Sequence, residues 1–228
     1  MNNTSHITCV GLILDGNRRW AKTRGLPPHE GHAEGYRRLQ EAVEWSRAAS
    51  IPHVVAYAFS TENWRRSEEE VGNMLKLFRS ILEQGKGKML EDRVRVRFVG
   101  DVARFGKDLQ KMMSEMEKAT AVDYDVTLHL LVSYGGRAEI VAAANALLAE
   151  GTTAVDEDSF AQKLWAHPMP DPDLIIRTGG RKRLSNFLSW QSAYSELFFS
   201  DSFWPDFTKE EFERHLAEFQ AIKRNFGV

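Results

Sequence analysis

Short apolar runs rich in Val, Ile, Leu and Phe recur along the chain at Ile7 to Leu14, His53 to Phe59, Val94 to Val99, Val126 to Val132, Leu174 to Arg177 and Glu196 to Phe199. Brief runs with little alternation are what strands buried on both faces look like. Between them lie stretches of helical period, and Phe105, Leu109, Met112, Met113 and Met116 share one helix face. Strands and helices that alternate in this way predict an α/β fold, a mostly parallel sheet covered by helices. A chain of 228 residues, 43% hydrophobic, can bury one sizeable core. No Pro-rich or Ser-rich linker, repeat or low-complexity segment divides it, so a single domain over 1–228 is expected.

Lys and Arg total 30 against 32 Asp and Glu, a formal net charge of -2. No global positive field recruits a polyanion, and any phosphate site must be a local gathering of arginine. Trp64, Arg65 and Arg66 would serve a single-stranded nucleic acid only within a continuous basic groove. The acidic balance argues against one, and no nucleic-acid partner is expected. The lone cysteine, Cys9, lies in the first apolar run; it reads as a packed thiol in a reducing compartment. Met1 to Ser5 lack the basic flank and apolar stretch of a signal peptide, and no run reaches membrane-spanning length. A cytoplasmic protein without a transmembrane segment is the expectation.

Ligands of an open parallel sheet collect outside the carboxyl ends of its strands. Here those ends carry Asp15-Gly16-Asn17-Arg18-Arg19, then Ser60-Thr61-Glu62-Asn63-Trp64-Arg65-Arg66, then Ser133-Tyr134-Gly135-Gly136-Arg137, then Arg177-Thr178-Gly179-Gly180 running on to Asn186. A strand that ends in Asp-Gly and opens a helix leaves free N–H groups for an anion, and Asp15 can hold a hard cation that bridges to it. The same segment also fits a plain N-cap with solvated arginines. Arginine forks match phosphate oxygens, and Gly-Gly turns allow close backbone approach. Neither G-x-x-x-x-G-K-[ST] nor G-x-G-x-x-G is present, which argues against an ATPase or a dinucleotide enzyme. Apolar residues interleave with the arginines at Ala58-Phe59, Trp64, Phe187-Leu188 and Trp190, so the ligand has a charged head and an apolar body. A prenyl diphosphate has that form.

The order of these motifs resembles the cis-prenyltransferase family, whose best-known member is undecaprenyl diphosphate synthase. Carrying the resemblance are Asp15 to Ala21, Gly31-His32, Phe59 to Arg66, Tyr134 to Arg137, Ile176 to Gly180, Arg183 to Leu188 and Trp204 to Phe207. It implies a homodimer with a central six-stranded parallel sheet, a hydrophobic tunnel, and Mg2+-dependent condensation of an allylic diphosphate with isopentenyl diphosphate. Asp15 would bind Mg2+ on the allylic diphosphate. Gly16, Asn17 and Arg19 would hold diphosphate oxygens with Trp20 beside them, and His32 would lie near the same group or simply be packed. Ser60 and Asn63 would sit beside the reacting carbons, where a relay through substrate phosphate removes the proton, while Trp64 and Arg66 shape the pocket. Arg177, Arg183 and Ser185 would clamp the second diphosphate. Glu196 would complete the metal environment or form a salt bridge at the strand edge. His6, His53, His129, His167 and His215 have no metal-ligand spacing and receive no role, so Mg2+ rather than zinc is expected.

Departures from the family pattern point to altered handling of the allylic substrate. Pro28 stands where the family usually has arginine before Gly-His, Arg181-Lys182 follow Gly-Gly where glutamate is usual, and Asn225-Phe226-Gly227 replaces Arg-x-Gly, with Arg224 adjacent. Leu131-Val132-Ser133 are bulkier than the usual residues before Tyr-Gly-Gly, and extra bulk in a packed interior costs roughly 1–3 kcal/mol. A narrowed tunnel predicts a short product of about two or three isoprene units. Head-to-middle coupling of the lavandulyl type belongs to this expectation. Regular undecaprenyl or decaprenyl synthesis and a non-catalytic subunit are the competing readings. Gln84-Gly85-Lys86-Gly87-Lys88, in the helix expected over Glu68 to Leu90, reads as a softened tunnel wall or a frayed end. The aromatic stretch Phe198 to Phe207 looks exposed and would serve the dimer.

Overall fold

The computed structural model describes residues 6–222. Six strands form one sheet: β1 (Cys9–Ile13), β2 (His53–Ser60), β3 (Val94–Val99), β4 (Val126–Tyr134), β5 (Leu174–Arg177) and β6 (Glu196–Phe199), one at each predicted apolar run. Their order is β3-β4-β2-β1-β5-β6, and every neighbouring pair is parallel. All nine residues of β4 and all five of β1 are buried, so both faces of these central strands are covered.

The helices are α1 (Asn17–Thr23), α2 (Pro28–Ala48), α3 (Glu68–Glu91), α4 (Lys107–Thr120), α5 (Gly136–Ala149), α6 (Glu157–Ala161) and α7 (Lys209–Ala221). Pro28 occupies the first turn of α2, where its missing N–H costs nothing. On one sheet face Val54, Ala56, Leu128 and Leu130 pack against Leu39, Leu82, Met113 and Phe212 from α2, α3, α4 and α7. The other face carries a second core of Val55, Leu131, Tyr134, Phe187 and Leu188. Cys9 is fully buried in it, as expected, and burial pushes its thiol up.

Three expectations need correction. Trp204 and Phe207 are not an exposed aromatic surface: they are buried in the first core, and Trp204 Nε1 donates to the Gly35 carbonyl at 2.7 Å. Leu131 does not face the hollow under α3, because strand alternation sends it to the second core; only Val132 of the trio lines that hollow. Gly85 is no frayed end either, being a buried residue packed beside Tyr36. Asn225-Phe226-Gly227 and Arg224 lie outside the described residues.

Candidate active site

The four strands β4, β2, β1 and β5 are neighbours, so the four polar segments that follow them meet at one end of the sheet. Asp15 follows β1, and its carboxylate is not a helix cap. Gly16 takes that position with φ 117°, and no side chain caps α1. A Cβ at Gly16 would lie 2.9 Å from Phe203 Cα, so the position needs glycine for both space and backbone. Freed from capping, Asp15 accepts from Arg19 Nη2 at 3.0 Å on one oxygen and from Arg177 Nη2 at 2.7 Å on the other.

Arg177, at the last position of β5, is only 4% exposed. Its other terminal nitrogen donates to Ser185 Oγ at 2.8 Å and to the Arg183 carbonyl, while its Nε has no partner. Arg183 is exposed and donates its Nε to Ser185 Oγ at 3.1 Å. Arg19 Nη1 donates to the Gly179 carbonyl at 2.8 Å, and a Cβ at Gly179 would meet Arg19 Nη2 at 2.5 Å. Asp15, Arg19, Arg177, Arg183 and Ser185 are thus one connected cluster.

Beside it opens a hollow of about 650 Å³ lined by Asp15, Gly16, Asn17, Arg18, Arg19, Lys22, Pro28, His32 and Arg66. Arg18 and Arg66 both reach Glu70, at 3.4 and 2.7 Å, which aims two cations at the same side. A second hollow of about 110 Å³ lies under α3, walled by Leu39, Phe59, Met74, Phe78, Phe105 and Val132. Asn17 and His32 line both, so the charged and apolar spaces adjoin. Burial, then Arg66, hold the His32 imidazole down at about 4, and its Nε2 is buried without a partner. Asn17 Oδ1 is likewise unpartnered, packed where Gly35 leaves room for it.

Other predicted residues support the site less directly. Asn63 Oδ1 accepts from Ser60 N at 3.0 Å, tying the two together at the end of β2. Trp64 packs edge-on against Phe59 and tilted against Phe105, two walls of the apolar hollow, and donates to Ser133 Oγ at 3.0 Å. Trp20 is not brought to the hollow: its Nε1 donates to Asp206 Oδ1 at 2.7 Å and Arg24 lies over its ring. Glu196 is also set apart, since it pairs with Leu174 at the amino end of β6 while Phe199 pairs with Arg177. No group of three or more His, Cys, Asp or Glu able to hold a metal occurs among the described residues. Pro28 does line the charged hollow, whereas Arg181 and Lys182 are exposed.

Asn186 joins the site in addition to the residues that the resemblance assigns. At φ 67° it accepts from Arg137 N at 2.9 Å and donates to Glu62 at 2.9 Å, joining the segments after β4, β2 and β5. Ser185 and Leu188 also take positive φ, so backbone strain is concentrated beside the arginine cluster. Buried Glu139 supports this region by accepting from Tyr134, Gln191 and Ala166. The signal for Asn186 was its place after Arg-Leu-Ser; its left-handed backbone has no periodic signature.

A family model described as putative undecaprenyl diphosphate synthase matches residues 13–227. The chain belongs to the cis-prenyltransferase family. Isoprenyl transferases from Neisseria meningitidis and Aquifex pyrophilus are 42% and 43% identical to it, each over 96% of this chain and over 88% and 94% of the relative. Two solved structures of the family share the fold. Lavandulyl diphosphate synthase from Lavandula x intermedia, in complex with dimethylallyl diphosphate, superposes with a TM-score of 0.91 at 30% identity, covering 98% of this chain and 99% of that one. A probable undecaprenyl diphosphate synthase from Campylobacter jejuni gives 0.83 at 32% identity, covering 97% and 99%. This cis-prenyltransferase is therefore a prenyl-transferring enzyme built on a six-stranded parallel sheet.

Proposed function

We propose that the enzyme condenses an allylic diphosphate, dimethylallyl or geranyl, with a second C5 diphosphate to give a short prenyl diphosphate. The observation that carries this reading is the adjacency of the 650 Å³ arginine-lined hollow and the 110 Å³ apolar one, with His32 shared between them. A space of 110 Å³ is smaller than the roughly 150 Å³ cavity that accepts a benzene ring, so without movement of α3 it takes only a short tail.

Asp15, Gly16, Asn17, Arg19 and Arg66 would receive the allylic diphosphate, with His32 against its first carbons. Arg177, Arg183 and Ser185 would hold the second diphosphate. Asp15, a partly buried carboxylate between Arg19 and Arg177, would hold Mg2+, a hard cation that suits one carboxylate together with substrate phosphates. Bound there by Asp15, the ion would supply Lewis-acid assistance to ionisation of the allylic C–O bond. Ser60 and Asn63 would position the acceptor carbon so that a phosphate oxygen takes the proton.

Exposed Val141 and Leu148 on α5 suit a homodimer, in place of the buried Trp204 and Phe207. No helix among the described residues is long and apolar enough to cross a membrane; the cytoplasm is the proposed place of action. A regular long-chain synthase is the second reading, and the description of the matching family favours it. Incubation with labelled dimethylallyl, geranyl and isopentenyl diphosphates in pairs separates the two. Short products, linear or branched, support the proposal; decaprenyl- or undecaprenyl-length products defeat it.

A further inference from the structure

His53 opens β2 and His129 lies near the start of β4, so both sit at the amino end of the sheet. Counting along β2, the catalytic end is about 23 Å away. Strand alternation turns both side chains to the face opposite the apolar hollow. There His53 Nδ1 and His129 Nε2 are 3.2 Å apart, one imidazole donating to the other. His129 is 2% exposed, and its Nδ1 has no partner. In register beside them on β3 stand Arg95 and Arg97. Together with Pro52, Tyr124, Asp125, Thr127 and Pro168 these four side chains line a separate hollow of about 230 Å³.

The charges around it do not cancel. Asp125 is engaged by Arg93 through two hydrogen bonds of 3.0 Å, and Arg93 also pairs with Asp123. Arg95 donates to Tyr124 Oη at 2.9 Å and lies over that ring, which leaves its charge uncompensated. Arg97 makes no hydrogen bond or ion pair among the described residues. Two guanidinium groups and two imidazoles therefore face one polar hollow whose single carboxylate is already taken.

We propose that this hollow is a binding site for a small phosphate-type oxyanion, held by Arg97 and Arg95 with His53 and His129 as further donors. A divalent cation does not suit it, because both arginines would oppose the charge. A guanidinium fork matches two oxygens of a tetrahedral anion, and the Thr127 hydroxyl adds a donor. Without an anion, burial, then His53 and the two arginines, hold His129 down at about 3, while burial, then Arg95, lower His53. A bound anion reverses that field, so the pair takes up one proton while keeping its N–H···N contact. Binding is then linked to proton uptake and strengthens as pH falls.

The test uses sulfate, whose charge is constant between pH 6 and 8, and follows the imidazole Cε1–H resonances of His53 and His129 by NMR. These are assigned with His53→Gln and His129→Gln. Both resonances are expected to shift with sulfate, and the dissociation constant to be about tenfold lower at pH 6 than at pH 8. Arg97→Ala should abolish the shifts yet leave prenyl transfer unchanged, because Arg97 touches nothing in the catalytic site. Inorganic phosphate and vesicles containing phosphatidic acid form two further arms. Response to the free ion identifies a soluble ligand, and response to vesicles alone a lipid headgroup. No shift of either imidazole with sulfate, with phosphate or with the vesicles, undiminished shifts in Arg97→Ala, or binding of zinc in place of the anion would overturn the proposal.

Discussion

Arg177 Nη2 donates to Asp15 Oδ2 at 2.7 Å, joining residues 162 positions apart that the β1–β5 register sets side by side. Because Arg177 is nearly fully buried, its charge depends on Asp15, Ser185 and the Arg183 carbonyl together. Arg177→Lys cannot reproduce that fork. Steady-state assays should find activity down by about 10²-fold, and urea unfolding a loss of about 3 kcal/mol. Exposed Arg183→Ala should instead raise KM for the second diphosphate with little change in stability.

Tyr36 lines the floor of the apolar hollow and also a smaller void beyond it, where Met89 and Leu128 meet α2. Its hydroxyl is buried without a partner, and a Cβ at Gly85 would lie 3.1 Å from it. Tyr36→Ala should open the floor and lengthen the product by about one isoprene unit, at a cost of about 3 kcal/mol. Tyr36→Phe removes the orphaned hydroxyl and should raise stability by about 1 kcal/mol without lengthening the product. Chromatography of the prenyl products and denaturant midpoints check the pair.

His32 gives a pH dependence of defined sign. Its folded value of about 4 lies below the ordinary 6.5, so the native state binds fewer protons than the unfolded chain. The stability is fully present above 6.5 and is lost as pH falls toward 4. Between pH 7 and 5 the wild type should lose about 2 kcal/mol more than His32→Gln, measured by urea unfolding at each pH.

Helix α1 lies against α2 through glycine. A Cβ at Gly31 would come 2.2 Å from the Asn17 carbonyl, a backbone atom that cannot step aside. Gly31→Ala should cost about 2 kcal/mol and lower activity, since Asn17, Arg18 and Arg19 ride on α1. Gly87→Ala on α3 meets nothing within 4 Å and should stabilise by about 1 kcal/mol. Thermal unfolding of the two variants reads the opposite signs.

All six strands were legible because buried parallel strands show as apolar runs, and the meeting of the polar segments at one end of the sheet was legible because each directly follows a strand. What escaped the sequence depends on direction rather than composition. Leu131 and Val132 are adjacent, yet strand alternation sends one to each core. Trp204 and Phe207 follow the last strand like surface residues but are covered by α2 and α7, a long-range contact without local pattern. Trp20 and Glu196 belong to the right motifs, but helix rotation and strand register carry them away from the arginine cluster.

The most direct measurement is release of inorganic diphosphate from an allylic diphosphate and isopentenyl diphosphate with Mg2+, for the wild type and for folded Asp15→Ala. The pure wild type is predicted to turn over alone, and the variant to fall by about 10³-fold. Equal rates in the two proteins, or a wild type inert until a second polypeptide is added, would contradict the account.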